Sequence, residues 1–176
     1  MVTTKGGDGL GRALTDMAKR LANAKVVQVG FMSDATEPDG ASTAQVAFWN
    51  EYGTKTAPPR PFFRTMISKE QPGWSKMLKA ALLSTNYDAS LALGQLGLVM
   101  VGQLQQSIID TYAPPLSPVT VMLRGMRRND PSLVVSGRTV GEAARRVAEG
   151  KTNYGASTKP LVDTASMLKN VTSKVE

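Results

Sequence analysis

A chain of 176 residues with 41% hydrophobic content is long enough to bury one core without disulfide or metal support. Cysteine and histidine are both absent, which excludes Ser-His-Asp and Cys-His nucleophiles, zinc sites built on sulfur or imidazole, and acid–base work by the side chain that titrates nearest neutrality. The formal charge of +7, from 21 basic and 14 acidic residues, attracts polyanions or acidic surfaces over about 8 Å at physiological salt, but aromatics at 6% leave few stacking platforms for single-stranded nucleic acid.

The first residues, Met1-Val-Thr-Thr-Lys-Gly-Gly-Asp8, lack the apolar run of a signal peptide. The most apolar stretch, 91–101, is interrupted by Gly94, Gln95 and Gly97, so no membrane span is expected and the protein should be soluble where it is made. Residues 8–23 are predicted helical, because Leu14, Met17, Ala18 and Leu21 lay one apolar stripe on a helix, with Asp8 as N-cap and Lys19 and Arg20 in the last turn. Residues 25–32 are short, apolar and β-branched, and read as a strand.

Residues 33–42, with Asp34, Glu37, Pro38, Asp39 and Gly40, form a loop by composition. Their three carboxylates suggest a metal site or a solvated acidic turn; the spacing lacks the calcium-loop pattern, which favours the turn. Residues 43–52 fit both periods, Ala44, Ala47 and Phe48 for a helix and Ala44, Val46 and Phe48 for a strand, and helix is the preferred reading. Gly53 stops it. The proline-rich connector 54–61 forces extended backbone, and Pro61 opens a helix whose Phe62, Phe63, Met66 and Ile67 face inward.

Pro72-Gly73 separates that helix from a second apolar stripe, Trp74, Met77, Leu78, Ala81 and Leu82. A long central helix is predicted from near Asp88 to about Asp110, with apolar residues on more than one face. Gly94, Gly97 and Gly102 each weaken it by about 1 kcal/mol relative to Ala, which implies either close approach of another element or a simple bend.

Pro114, Pro115 and Pro118 end that helix, and 119–128 reads as a short basic one. After the turn at Asn129-Asp130-Pro131, a capping box Thr139-x-x-Glu142 is expected to start another, which Gly150 stops. Arg124, Arg127, Arg128, Arg138, Arg145 and Arg146 cluster here; this is the candidate contact with DNA or an acidic partner, against the plainer reading of a solvated helix face. Residues 151–159 are loop. Asp163 or Thr164 is expected to cap a short helical turn over 165–169, and Val171, Ser173 and Val175 alternate as a half-buried strand that completes a sheet with the first.

The expectation is one α+β domain over 1–176, a small mixed or antiparallel sheet packed against several helices with one long central helix, and a basic helical insertion near 119–150. No internal repeat or linker divides it.

Motifs for chemistry are weak. Gly7-x-Gly9-x-Gly11 has no preceding strand to aim backbone N–H groups at a phosphate. Ser166-Met-Leu-Lys169 has dyad spacing but no partner motifs. Glu51, beside Phe48, Trp49 and Tyr52, is the one carboxylate suited to acid catalysis, yet no second carboxylate is nominated. The favoured role for Glu51 is structural, capping or pairing with Arg60 to fix the connector.

Val46-Ala-Phe-Trp-Asn-Glu51-Tyr-Gly53-Thr, followed by Ala57-Pro-Pro-Arg60-Pro-Phe-Phe-Arg64, resembles the N-E-F/Y-G-T and P-x-R-P-F-x-R signature of bacteriophage neck, tail-completion and virion-morphogenesis proteins. Pro114-Pro-Leu-Ser-Pro-Val-Thr120 resembles the family's proline-rich segment. Lys159-Pro-Leu-Val-Asp163-Thr-Ala-Ser-Met-Leu168 resembles its C-terminal element, with Ala165 where the family has glycine. The pieces stand in family order over 46–168, while 124–150 matches nothing in it. The resemblance implies an α+β fold that assembles into a ring, commonly six-fold, at the head-to-tail junction or the top of the tail tube. It implies no reaction, cofactor or metal.

On that reading Glu51, Gly53, Pro59, Arg60, Pro61, Phe62, Phe63, Pro160, Leu161, Asp163 and Thr164 serve folding and assembly. The partners would be copies of the chain and other neck, connector or tail-tube proteins, with Arg124, Arg127, Arg128, Arg145 and Arg146 near genomic DNA in the lumen or an acidic partner ring. The protein would reside in the virion after assembly in the host cytoplasm. Ring closure also fits a small subunit with a broad apolar helix. Two further readings are a basic nucleic-acid-binding protein, whose binding would fall steeply with salt, and a carboxylate hydrolase, which needs a second acid converging on Glu51.

Overall fold

The structure, a computed structural model, describes residues 7–32, 34–37, 40–151, 155–161 and 165–176. Among them it is an α+β fold: α1 (Gly7–Leu21), β1 (Val27–Phe31), α2 (Thr43–Tyr52), α3 (Phe62–Ser84), α4 (Ala89–Asp110), α5 (Pro118–Asn129), α6 (Gly137–Ala148), α7 (Ser166–Asn170) and β2 (Val171–Val175). No described helix is long and apolar enough to cross a membrane.

The two strands pair antiparallel, with Val27 opposite Val175 and Phe31 opposite Val171. Glu176 extends the ladder by exchanging main-chain hydrogen bonds with Val26 at 3.0 Å. The sheet joins the segment after α1 to the segment after α7, and α4 crosses it and lies along α3. Gly97 makes the crossing fit, because a Cβ there would stand 2.9 Å from Val27 Cγ2 and 3.0 Å from Ser173 Cβ. Of the two readings of the α4 glycines, close approach holds at Gly97, whereas Gly94 and Gly102 face nothing within 4 Å.

Phe62, Met66, Leu104, Ile108, Ala47, Leu161, Met167 and Val171 form the main core. Phe31 meets Phe62 edge to face, with centroids 6.3 Å apart, a favoured aromatic geometry. Polar ties hold α3 to α4: Trp74 Nε1 donates to Gln103 Oε1 at 2.9 Å, Gln103 Nε2 to Glu70 Oε2 at 3.0 Å, and Ser107 Oγ to the Phe62 carbonyl at 2.6 Å. α5 and α6 form a hairpin with a second small core of Met122, Met126 and Ala143.

Three local expectations are corrected. α3 is continuous through Pro72: the residue forfeits one helical hydrogen bond, at a cost of about 3 kcal/mol, but the stripe running from Met66 past Trp74 to Ala81 packs on one neighbour, α4, and holds both halves on one axis. α1 begins at Gly7, so Asp8 lies in its first turn as a favourable charge and is not its cap. Its apolar stripe is not covered: no α1 residue is buried. The box at the start of α6 is Ser136 with Thr139, not Thr139 with Glu142; Ser136 N donates to Thr139 Oγ1 at 2.8 Å and the helix begins at Gly137.

α2 is helical because Thr43, Ala47 and Glu51 bury one face at helical spacing. Asp88 caps α4, its carboxylate accepting from Leu91 N at 3.0 Å. Asn23 reinforces it, donating to Asp88 Oδ1 at 3.0 Å while accepting from Ser90 N at 2.9 Å. This is also where the end of α1 is tied to the fold.

Candidate functional site

Glu51, Gly53, Pro59, Arg60, Pro61, Phe62 and Phe63 meet at the corner between α2 and α3. α2 ends at Gly53, whose φ of 79° and ψ of 176° turn the chain. A Cβ there would lie 2.9 Å from the Ala57 carbonyl oxygen and 2.9 Å from Pro59 N, so only glycine lets the connector fold back on itself. Thr54 N then bonds the Ala57 carbonyl at 2.8 Å, and Arg60 N bonds the Asn50 carbonyl at 2.7 Å. The connector is thereby laid along α2.

α3 starts after Pro61, which has no side-chain acceptor for the orphan N–H groups of the first turn. Glu51 supplies it from the neighbouring helix. Its carboxylate, on a residue only 5% exposed, accepts from Phe63 N at 2.8 Å, Arg64 N at 3.2 Å and Arg64 Nε at 2.7 Å. Arg64 Nη2 also donates to the Glu51 carbonyl at 3.0 Å, and its guanidinium lies 4.9 Å from the centre of the Tyr52 ring. A buried anion at a helix N-terminus, saturated by three donors, is a structural cap. Of the two structural roles expected of Glu51, the cap is present and the ion pair with Arg60 is not: Arg64 is the partner, because the first helical turn brings it, and not the connector, over α2.

Arg60 points the other way. It is 6% exposed and donates from Nε to the Pro114 carbonyl at 2.8 Å and from Nη2 to the Pro115 carbonyl at 3.3 Å, across a segment whose Ala113–Pro114 peptide is cis. Desolvation by burial pushes the Arg60 guanidinium down from its ordinary pKa. Phe62 is buried in the main core with Phe63 packed against it.

Pro160 and Leu161 are buried, Leu161 in the main core. Asp163 and Thr164, expected to cap the following turn, lie outside the described residues, as do Pro38 and Asp39 of the acidic loop. Ala165 has φ 58° and ψ 12°, the left-handed conformation, so alanine here takes the backbone shape that suits glycine.

The stretches quoted at 46–64, 114–120 and 159–168 converge on one cavity of about 590 Å³, whose walls include Asn50, Arg60, Pro115, Ser117, Thr120 and Leu161. Arg124 borders it and donates to the carbonyls of Ser157 at 3.1 Å, Lys159 at 2.7 Å and Pro160 at 2.8 Å.

The basic cluster divides by role. Arg124 and Arg128 hold backbone, Arg128 through the Gly155 carbonyl at 2.7 Å. Arg145 pairs with Glu149 at 2.5 Å, and Arg146 with Glu142 one helical turn away. Arg127 and Arg138 make no ion pair among the described residues. Residue type and clustering were visible in the sequence, but not that the hairpin and the 155–161 loop engage these groups.

Arg64 and Asn23 were absent from the residues proposed for the site or the caps. Arg64 had a signal, its place in the first turn after Pro61; Asn23 had none, since its partners lie over sixty residues away in sequence. Set against protein-family models, curated proteins and solved structures, the chain matches none.

Proposed function

We propose that this protein is a non-enzymatic structural component of a phage neck or tail terminus, which closes a ring with copies of itself and joins that ring to neighbouring virion parts. The observation that carries the reading is the convergence of the three signature stretches on one corner and cavity, where Glu51, Gly53 and Arg60 all work to hold backbone. A signature spent on shape suits a protein whose product is a surface.

Uncovered apolar side chains support self-association. Leu10 and Leu14 on α1 and Leu98 on α4 are 64%, 55% and 70% exposed, and an amphipathic helix with its apolar stripe in water implies a partner. Cyclic closure satisfies such stripes without endless polymerisation. Paired or backbone-bound arginines at 124, 128, 145 and 146 favour this over nucleic-acid binding as the main task.

Sedimentation mass at low and high salt tests the proposal. A discrete multimer that persists in high salt is expected, since apolar burial is not screened. A monomer at every concentration, with DNA binding that collapses as salt rises, would replace it with the nucleic-acid reading.

A further inference from the structure

We propose that the cavity between the connector, the start of α5 and the 155–161 loop is a receptor for an acidic residue presented on a peptide segment. The inference rests on the assembly reading for the origin of that peptide, either another virion protein or a second copy of this chain.

Arg60 is the first reason. Its side chain lines the cavity and its charge is buried, yet it has no carboxylate within ion-pair distance among the described residues. Two proline carbonyls engage Nε and Nη2, and Nη1 makes no hydrogen bond among the described residues. Carbonyl dipoles only partly offset the desolvation of a guanidinium; an incoming carboxylate would complete it with charge-assisted bonds.

The second reason is the start of α5, on the same wall. Ser117 caps it, accepting from Thr120 N at 3.1 Å, and both residues line the cavity. A helix N-terminus beside a buried arginine adds to a field that favours an anion.

The third selects the kind of anion. Glu37 also lines the cavity, and its Oε1 is buried with no hydrogen-bond partner among the described residues. Leaving that acceptor unmet is costly, and a ligand N–H would satisfy it. A ligand that brings both a carboxylate and N–H donors is an acidic residue on a peptide backbone, its methylenes resting against Leu161 and Pro115. A nucleic-acid phosphate fits less well: Glu37 opposes any anion alike, but a phosphate brings no N–H donor to offset this by bonding Glu37 Oε1.

The test is side-chain 15N–1H NMR of the Arg60 Nε–H during titration with N-acetyl-glutamate N-methylamide and its glutamine counterpart. The glutamate probe should give a saturable shift and bind about tenfold more tightly than the glutamine one, the ratio expected of one charge-assisted contact. Thr120→Trp, which fills the cavity and leaves the Arg60 carbonyl bonds in place, should abolish the response. Ala57→Trp, on the opposite wall, serves if that variant does not fold.

Equal response to both probes, no response, or an undiminished response in a folded cavity-filled variant overturns the site. Sedimentation of the same variants separates the two origins: loss of self-association with Thr120→Trp points to a second copy, and retained self-association to another protein. A wild-type chain that binds the glutamate probe but stays monomeric and joins no particle supports the site while refuting the assembly reading.

Discussion

Replacing Gly97 by Ala tests how α4 is seated on the sheet. The new methyl would lie 2.9 Å from Val27 Cγ2 and 3.0 Å from Ser173 Cβ, against a carbon–carbon optimum of about 3.5–4.0 Å. Neither neighbour yields alone. Val27 is β-branched and stiff at χ1 and pairs with Val175, while Ser173 Cβ is fixed to backbone paired with Val29. Strands and helix must therefore separate, an overpacking cost of about 1–3 kcal/mol.

The same substitution at Gly94 or Gly102 meets nothing within 4 Å and should stabilise the helix by about 0.5–1 kcal/mol. Helix propensity cancels in the comparison, so Gly97→Ala should be less stable than Gly94→Ala by the packing cost alone. Thermal melts followed by circular dichroism, at one fixed protein concentration, would read this as about 2–4 °C per kcal/mol for a chain of this size. If Gly97→Ala melted at or above Gly94→Ala, the close contact of α4 with the sheet would be refuted.

Glu51→Ala removes the acceptor shared by Phe63 N, Arg64 N and Arg64 Nε; Arg64 is exposed and can turn to water, so the loss should be about 1–2 kcal/mol, that of a helix cap, with Glu51→Gln losing less because one oxygen remains; urea melts and amide exchange at Phe63 and Arg64 check it. Asp88 is held below the usual carboxylate range by the hydrogen bond from Leu91 N and then that from Asn23. A depressed folded pKa gives stability that is present above the unfolded value and lost as pH falls through the folded one, so amide protection at Leu91 should weaken on acidification in wild type and not in Asp88→Asn. Leu10→Gln with Leu14→Gln should change the stability of the isolated subunit by no more than about 0.5 kcal/mol, because both side chains are exposed; the pair should nonetheless weaken self-association in sedimentation.

Elements whose signals are local were legible in the sequence. The start of α4 near Asp88, Gly53 as the stop of α2 and the alternation of Val171, Ser173 and Val175 all rest on signals within a few residues, and each is found where the pattern put it. Pro72 misled because its local cost is real, while the packing that outweighs it comes from α4. For Glu51 the sequence points to a structural role, as cap or as partner of Arg60; the cap is found, but the ion pair is with Arg64, since both arginines are close in sequence and only the direction in which the connector turns at Gly53 decides between them. The cap of α6 moved from Thr139 to Ser136 because both residues are good caps, and Thr139 serves as the reciprocal member. The cavity had no sequence signal of its own, since its walls come from segments more than a hundred residues apart, from Glu37 to Met167. What the sequence did carry were the stretches that build it.

Imaging of assembled particles at the head-to-tail junction tests the central claim most directly. The account predicts a closed ring of this chain whose subunit contacts bury Leu10, Leu14 and Leu98. Particles with complete necks and no such ring, or a ring in which those side chains remain in solvent, would contradict it.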